Sequence, residues 1–290
     1  YDNSTNTNGG GIFNQGTLGL TNTTLSGNDA TAGSGGGLYG NSSASSILNN
    51  CTLHNNSAAS GGGIEAVSGL LQARNTIVAG NTATGLGQDI SGSLNSVGNN
   101  LIGNSSGVTI GGDPFSNILN VNARLAPLAN YGGATLTHAL LPGSPAIDAG
   151  DDCVNQSGGC LSTALANDQR GAGFSRKVGS KVDIGAFESR GFTMGLSSGN
   201  NQSTPINTAF PNPLIVTVAS ANSEPVDGGR VTYTGPSSGA RLTIPSTSVP
   251  INSGAATTGT ITANGTGGTY TVSATTGGVT TGVDFTLTNT

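Results

Sequence analysis

Glycine triplets recur at a fixed distance in the first part of this 290-residue chain. They begin at Gly9, Gly35 and Gly61, so the interval from the first to the second equals that from the second to the third. A second motif, an aliphatic residue with asparagine three positions later, recurs at similar intervals as Leu25–Asn28, Leu53–Asn56, Val78–Asn81 and Leu101–Asn104. A period in the twenties is typical of a solenoid, in which each turn packs only on its neighbours.

The composition of the repeats favours strands over helices. Glycine supplies 49 residues of the chain, and Asn, Ser and Thr fill most of the remaining polar positions. These residue types oppose an α-helix, and no stretch shows helical apolar spacing. Short alternating runs at 17–20 and 75–78 are typical of strands instead. The repeats therefore predict an all-β parallel β-helix of four or five turns.

Stacking of equivalent turns makes two further predictions. Asparagines at the same turn of successive repeats are expected to form a ladder, each side-chain amide bonding to the next. Cys51 lies two positions before Leu53, at a place that Thr23 and Thr76 match in neighbouring turns. We expect a buried, stacked thiol there rather than a reactive one, because no basic residue is near it in the sequence.

Charge is scarce and unevenly placed. Only 8% of the residues are charged and the net charge is −5, which argues against a general nucleic-acid binder. No apolar run approaches the roughly 20 residues of a membrane span. Nearly half of the charged side chains lie between Asp148 and Arg190. This block thus differs in chemistry from the almost neutral repeats before it.

The middle of the chain carries an ordered series of motifs. They are Asn-Thr-Ile-Val-Ala-Gly-Asn at 75–81, Gln-Asp-Ile at 88–90, Asn-Asn-Leu-Ile-Gly at 99–103, Leu-Thr-His-Ala-Leu-Leu-Pro-Gly-Ser-Pro-Ala-Ile-Asp-Ala-Gly at 136–150, Asp-Gln-Arg-Gly at 168–171, Arg176, and Val-Asp-Ile-Gly-Ala-Phe-Glu at 182–188. In this series the chain resembles the choice-of-anchor Q type of bacterial β-helix surface proteins, over residues 1–190. The resemblance implies a secreted or surface-displayed, right-handed β-helix, with no catalytic residues to carry over.

The charged block predicts a structural network at about 113–190. An open solenoid end exposes strand edges, which a cap would cover. A hydrogen-bonded network of ions would hold such a cap in one conformation. The alternative is a carboxylate site for acid–base chemistry or a metal, which we favour less because no nucleophile or base stands out. The predicted cap network consists of Asp168, Arg170, Arg176, Asp183 and Glu188.

Three further acids and two cysteines lie in the same block. Asp148, Asp151 and Asp152 could bind calcium in a loop, but they lack a regular ligand spacing, so no cofactor is expected. Cys153 and Cys160 enclose a short polar loop, and in an exported protein this spacing favours a disulfide. A zinc site would need further ligands, and the two histidines, His54 and His138, are distant in sequence. We expect His138, which lies among leucines, to be a packed or solvent-edge histidine.

The last hundred residues have a different pattern. Six short β-rich runs lie at 214–218, 230–233, 241–244, 260–263, 269–274 and 283–287, separated by glycine-rich turns. They predict an antiparallel sandwich of about seven strands over 191–290. Pro225–Val226 and the run 268–274 resemble the Ig-like domains of invasin-type bacterial adhesins. The polar start of the chain is not a signal peptide, so we expect the chain to begin inside the solenoid.

These observations favour a non-enzymatic function. We expect an extracellular or cell-surface structural or adhesive protein, including a self-assembling fibre or sheath subunit, whose partners are copies of itself, other surface proteins or glycans. The first rival is a polysaccharide lyase or hydrolase, which would need grouped acids and a base; the acids Asp29 and Glu65 lie in different repeats and out of phase. The second is a passive glycan-binding module, for which few aromatic platforms exist: Phe13, Tyr39, Phe115 and Tyr131.

Overall fold

A computed structural model describes all 290 residues and divides them into two compact units. The first unit comprises residues 1–140 and 145–189, and the second comprises 141–144 and 190–290. Both are built from β-strands, which confirms the predicted all-β class. The one helix is the 3₁₀ turn Asp152–Asn155, so the chain has no helix able to traverse a bilayer.

The first unit is a β-solenoid of about four turns, which confirms the interpretation of the repeats. Short strands alternate with glycine- and asparagine-rich corners. The strands are β1 (Ser4–Thr5), β2 (Ile12–Asn14), β3 (Thr17–Thr21), β4 (Thr24–Ser26), β5 (Asp29–Ser34), β6 (Leu38–Gly40), β7 (Ser45–Asn49), β8 (Thr52–His54), β9 (Ser57–Ser60), β10 (Ile64–Ala66), β11 (Leu70–Arg74), β12 (Ile77–Ala79), β13 (Thr82–Ala83), β14 (Ile90–Ser96), β15 (Leu101–Ile102), β16 (Val108–Gly112) and β17 (Ile118–Leu119).

Three parallel sheets form the faces of the solenoid. One has the order β1-β5-β9-β13 and another the order β17-β15-β12-β8-β4. The largest has the order β2-β6-β10-β14-β11-β7-β3, with β16 also paired to β14. The period of the glycine triplets appears directly in its register, because Ile12 pairs with Leu38, Leu38 with Ile64, and Ile64 with Ile90.

Aliphatic side chains from every turn meet in one continuous core. A single short strand buries too little apolar surface to be stable alone, so each turn depends on the next. The free thiol of Cys51 packs within this core rather than facing solvent. The buried members are Leu25, Leu38, Leu48, Cys51, Leu53, Ile64, Ala66, Leu71, Ala73, Val78, Ile90, Leu94 and Ile102.

The register of the aliphatic motif is shifted in the last turn. Leu25 pairs with Leu53 and Leu53 with Val78, but Val78 pairs with Ile102. The expected equivalence of Leu101 with Val78 is therefore wrong by one position. Leu101 and Ile102 are adjacent, aliphatic and both fully buried, so alternation of polarity does not distinguish their two faces.

Residues 120–140 and 145–189 form what we call the lateral segment, which has little regular structure. Isolated bridges such as Leu125–Leu140 hold it together. It makes hydrogen bonds to four successive turns of the solenoid, so it runs along the side of the solenoid. These bonds join Asn22 Nδ2 to the Asn167 carbonyl (2.9 Å), the Ala186 amide to Thr52 Oγ1 (3.0 Å), Asn75 Nδ2 to the Asp151 carbonyl (3.0 Å) and Asn99 Nδ2 to the Ala149 carbonyl (2.8 Å).

The corners that meet the lateral segment share one backbone shape. Asn22, Asn50, Asn75 and Asn99 have φ angles of 48°, 50°, 47° and 54°. Asparagine tolerates this left-handed conformation better than other non-glycine residues. Three of the four side chains bond to the lateral segment, whereas the buried amide of Asn50 has no hydrogen-bond partner.

The charged region was also expected to cover an open end of the solenoid, and this stays a prediction.

The second unit consists of ten short strands. Its sheets have the orders β18-β20-β24, β19-β27-β26-β21-β23 and β22-β25, and all pairs are antiparallel except β19 with β27. Strands fall on all six predicted runs. Four others were not expected because their sequences are rich in Gly, Ala, Ser or Gln, so about seven strands is an underestimate. The strands are β18 (Thr193–Ser198), β19 (Gln202–Thr204), β20 (Ile215–Ala219), β21 (Arg230–Thr234), β22 (Leu242–Thr243), β23 (Ser248–Pro250), β24 (Ala255–Thr257), β25 (Thr262–Ala263), β26 (Gly268–Thr275) and β27 (Val283–Asn289).

Candidate functional site

Arg170 and Asp168 form a buried ion pair in the lateral segment. Nη2 of Arg170 lies 2.7 Å from Oδ2 of Asp168, and the two side chains are 1% and 0% exposed. The guanidinium carbon lies 4.1 Å from the ring centre of Phe174 and 3.7 Å from that of Phe187. A carboxylate at its edge and rings against its faces hold this guanidinium in one orientation.

Arg176 and Glu188 form a second pair, with 2.7 Å between Nη2 and Oε2 and both side chains fully buried. The carboxylate of Glu188 also accepts hydrogen bonds from the backbone amides of Val178 (2.7 Å) and Asp183 (2.8 Å). The amide of Glu188 donates to Oδ2 of Asp168 at 2.8 Å, which joins the two pairs. The structure thus brings together all five residues that the sequence suggested as a network.

Burial raises the pKa of two acids of this network, Asp183 and Glu188. Burial, followed by the neighbouring charge of Glu188, raises the pKa of Asp183 well above its usual range. Burial also raises the pKa of Glu188 to about 7, although the charge of Arg176 opposes the shift. Raised pKa values are typical of functional carboxylates, but these two residues are 1% and 0% exposed. Their oxygens already accept internal hydrogen bonds, so the arrangement indicates a structural role.

The three acids considered for calcium have separate partners. Each carboxylate accepts hydrogen bonds from, or pairs with, residues that the other two do not contact. No group of three or more His, Cys, Asp or Glu residues in the structure is placed to hold a metal ion. Asp148 accepts from the amides of Ser180 (2.7 Å) and Lys181 (3.0 Å), Asp151 pairs with Arg74 (2.8 Å), and Asp152 pairs with Lys177 and accepts from the amide of Val182 (2.8 Å).

The cysteines divide into one disulfide and one buried thiol. Cys153 and Cys160 form a disulfide seven positions apart. Cys51 is free and 1% exposed. Burial raises the pKa of Cys51 to about 12, so it carries no thiolate at neutral pH.

An asparagine ladder crosses the solenoid and ends on an acid. Nδ2 of Asn28 donates to Oδ1 of Asn56 at 2.8 Å, and Nδ2 of Asn56 donates to Oδ1 of Asn81 at 2.9 Å. Asn81 then donates to Oδ1 of Asp89 from Nδ2 (2.9 Å) and from its backbone amide (3.0 Å). The expected step from Asn81 to the side chain of Asn104 is wrong, because Asn104 instead donates its backbone amide to Oδ2 of Asp89 at 2.7 Å.

Asp89 reaches the ladder because it stands where earlier turns have glycine. In register it follows Gly37 and Gly63, the third glycines of their triplets. A Cβ atom at Gly63 would lie 2.8 Å from Nδ2 of Asn81, so a side chain there would collide with the ladder. In the fourth turn, Asp89 occupies this position, and its carboxylate accepts the hydrogen bond that ends the ladder. Counting one triplet interval on from Gly63 would have identified Asp89 from the sequence.

A cleft of about 530 Å³ opens beside Asp89 and His54. Its walls come from the second, third and fourth turns of the solenoid and from the start of the lateral segment. Its size falls within the range of about 300–1,000 Å³ that is typical of small-ligand sites. The polar side chains that line it include His54, Gln88, Asp89, Asn104, Asn122 and Arg124.

His54 faces the cleft as a neutral hydrogen-bond acceptor. Its Nδ1 lies 2.6 Å from the carbonyl oxygen of Ala79, so this nitrogen carries the proton and Nε2 keeps a lone pair. Burial lowers the pKa of His54, which favours the neutral ring. Gly80 makes room for it: at φ 69°, a Cβ atom there would lie 2.5 Å from Cε1 of His54.

His138 lies behind His54, and the two rings meet edge to face with centres 4.7 Å apart. Its Nδ1 lies 2.7 Å from the carbonyl oxygen of Ala126 and its Nε2 lies 2.9 Å from Oγ of Ser26. This serine–histidine pair is 2% and 1% exposed, so no substrate reaches the hydroxyl. Burial lowers the pKa of His138 to about 4, and the ring is a packed residue.

The cleft offers binding chemistry rather than paired acid–base chemistry. Asp89 is the single carboxylate among its lining residues, whereas glycoside hydrolysis usually needs two. Burial raises the pKa of Asp89, against the hydrogen bonds that Asn81 donates to it. Asp29 and Glu65 lie on different sheets and bond to serines instead, Asp29 to Ser57 and Glu65 to Ser60.

The aromatic side chains do not converge on this cleft. Phe13 and Tyr39 stack on each other with ring centres 5.0 Å apart, which turns their faces toward one another. Phe115 is 96% exposed, and Tyr131 packs edge-on against Phe187. Sequence reasoning missed the cleft because its lining residues belong to distant stretches of the chain that only the turn register brings together.

Comparisons of this chain with protein-family models, with curated proteins and with solved structures give no significant match.

Proposed function

We propose that this chain is a non-enzymatic, extracellular structural or adhesive protein of a bacterial surface. The observation that carries the proposal is that the densest group of charged side chains is buried. The side chains of this group, around Arg170 and Arg176, form hydrogen bonds with one another inside the protein. The solenoid beside it is stabilised by stacked amides and aliphatic residues. These side chains stabilise the fold but are not nucleophiles, acids or bases.

The disulfide supports an exported location. Disulfides persist mainly in oxidising compartments. In this structure Cys153 and Cys160, seven positions apart, are joined by a disulfide. The motif series described above, from Asn75 to Glu188, resembles surface-displayed β-helix proteins and supports the same location.

Three finer features of the architecture belong to this proposal. We take the solenoid to be a right-handed β-helix and the charged region to act as its cap. We take the second unit to be an Ig-like sandwich that serves as a spacer, as in bacterial adhesins. Its mainly antiparallel sheets and buried aromatic core, which includes Tyr233 and Phe285, support this interpretation. Self-assembly into a fibre or sheath would use strand edges, which readily accept a strand from a neighbour.

Antibody labelling of intact cells that produce the native protein tests the location. We expect labelling without permeabilisation, together with an oxidised Cys153–Cys160 pair in the native material. Labelling only after permeabilisation, with both thiols reduced, would contradict the proposal. Electron microscopy of the same material separates the two forms of the function: filaments indicate a fibre subunit, and single particles indicate an adhesin.

The rival function is a carbohydrate-active enzyme. Turnover of pectin or a related glycan that is abolished by Asp29→Asn or Glu65→Gln would favour it over a structural role. Because Asp29 and Glu65 each bond to a serine and lie on different sheets, we expect no such turnover.

A further inference from the structure

The cleft beside Asp89 is built by residues that glycine makes room for. A Cβ atom at Gly103 would lie 2.9 Å from Oδ2 of Asp89, and one at Gly80 would collide with the ring of His54. Both glycines line the cleft. The imidazole therefore borders an open volume, and the buried carboxylate of Asp89 lies at the wall of that volume.

The lining combines donors and acceptors in close alternation. Nε2 of His54 is an acceptor. The amides of Gln88 and Asn104 carry both kinds of group, and they bond to each other at 3.1 Å between Asn104 Nδ2 and Gln88 Oε1. Arg124 adds several donors from the lateral segment. Hydroxyl groups, which donate and accept at one atom, complement such a surface.

The charge of the cleft argues for an uncharged ligand. Asp89 and Arg124 are the only residues with formal charge among its lining, and they have opposite signs. A polyanion would lie beside the negative charge of the buried Asp89, without an excess of cations to hold it. An apolar ligand would leave the amides of Gln88 and Asn104 without water or partners, which is costly.

We propose that this cleft binds a neutral, hydroxyl-rich saccharide, held by His54, Gln88, Asn104 and Arg124. The inference deepens the adhesive form of the proposed function and rests on it, because it names the chemistry by which the surface protein would attach. The volume of about 530 Å³ suits one or two sugar units of a longer chain, with the rest of the glycan outside.

Calorimetric titration of the full chain with purified hexasaccharides tests the site. The probes are cellohexaose, laminarihexaose and mannohexaose as neutral ligands and hexagalacturonate as the acidic one. We expect saturable binding of at least one neutral hexasaccharide, weakened roughly tenfold by Gln88→Ala and by Arg124→Gln, because each removes hydrogen bonds to the ligand. Gln156→Ala is the matched control, since Gln156 is an exposed glutamine remote from the lining of the cleft.

The outcomes separate this inference from the function on which it rests. Absence of heat with every neutral hexasaccharide up to about 10 mM overturns it. Binding of hexagalacturonate alone overturns it, and so does neutral binding that either cleft variant leaves unchanged while its circular dichroism spectrum is native. Cell-surface labelling is measured independently, so a surface protein that binds no saccharide would refute the site and leave the proposed location standing.

Discussion

Nδ2 of Asn81 lies 2.9 Å from Oδ1 of Asp89, and through this bond a row of neutral amides ends on a carboxylate. Every side-chain amide in the row donates in the same direction, from Asn28 through Asn56 to Asn81. Aligned donors polarise one another, so the acid at the end strengthens the bonds before it. The same acid borders the cleft, which couples the interior of the solenoid to its candidate binding site.

The ladder predicts a large cost for removing an interior amide. Asn56→Ala leaves the backbone amide and Nδ2 of Asn28 without their acceptor in a buried site, where each unsatisfied group costs about 1–3 kcal/mol. We expect the free energy of unfolding of the first unit to fall by about 2–4 kcal/mol. Chemical denaturation followed by circular dichroism measures this.

Asn6→Ala is the control for that measurement, because Asn6 is exposed and lies outside the ladder. We expect a change within about 0.5 kcal/mol for it. Equal losses for the two variants would show that the ladder adds nothing beyond an ordinary asparagine.

The buried imidazole of His138 predicts a loss of stability in acid. Its folded pKa of about 4 lies below the usual value, because burial disfavours the charged ring. The unfolded chain therefore takes up a proton near pH 6.5 that the folded chain refuses until about pH 4. Stability from this group is complete above about pH 6.5 and is lost as the pH falls toward about 4, by at most about 3 kcal/mol.

The comparison that isolates His138 is with His138→Gln. Glu188 and Asp183, whose raised pKa values act in the opposite direction, are present in both proteins and cancel. We expect the difference in unfolding free energy between the two proteins to shrink from pH 7 to pH 4. A difference that does not vary with pH would refute a neutral, buried His138.

The solenoid was predictable because its evidence is periodic. Glycine triplets at equal intervals define which strands stack, and the observed pairing of Ile12, Leu38 and Ile64 follows them. The register of the aliphatic motif in the last turn was not predictable, because Leu101 and Ile102 are equally apolar and equally buried. Where the repeat is broken, register depends on side-chain bonds that spacing alone does not reveal.

The buried network and the cleft also differ in how far the sequence alone reveals them. The acids and arginines of the buried network all lie in the single stretch from Asp168 to Glu188, so their grouping is visible in the sequence. The cleft joins His54, Asp89 and Arg124, whose proximity depends on the register of the turns and on the path of the lateral segment. Charge clustering predicts local networks, whereas a cleft between distant turns requires the fold.

The buried pair of Arg176 and Glu188 predicts an asymmetric response to pH. Arg176→Met leaves an unpaired carboxylate in a fully buried site, and breaking such a pair costs about 3–5 kcal/mol. Without the cation, the pKa of Glu188 rises further, so at pH 5 the residue is protonated in the folded state and the penalty is smaller. We expect the variant to lose more stability at pH 8 than at pH 5 in thermal denaturation.

Lys181→Met removes an exposed cation from the same stretch and controls for the loss of charge. We expect it to change stability by no more than about 0.5 kcal/mol at either pH. A loss for Arg176→Met that is the same at pH 5 and pH 8 would argue against a buried, partly protonated Glu188.

The disulfide predicts a modest and reversible contribution to the first unit. It closes a short loop, because Cys153 and Cys160 are seven positions apart, and restricting so short a loop in the unfolded chain contributes about 2–3 kcal/mol. We expect the Cys153→Ala/Cys160→Ala variant to melt at a lower temperature than the oxidised protein, and dithiothreitol to lower the native protein to the same value. The double variant itself should not respond to dithiothreitol, since its remaining thiol, Cys51, is buried and belongs to no disulfide. A response of the double variant, or no shift of the native protein, would contradict a stabilising role for this bridge.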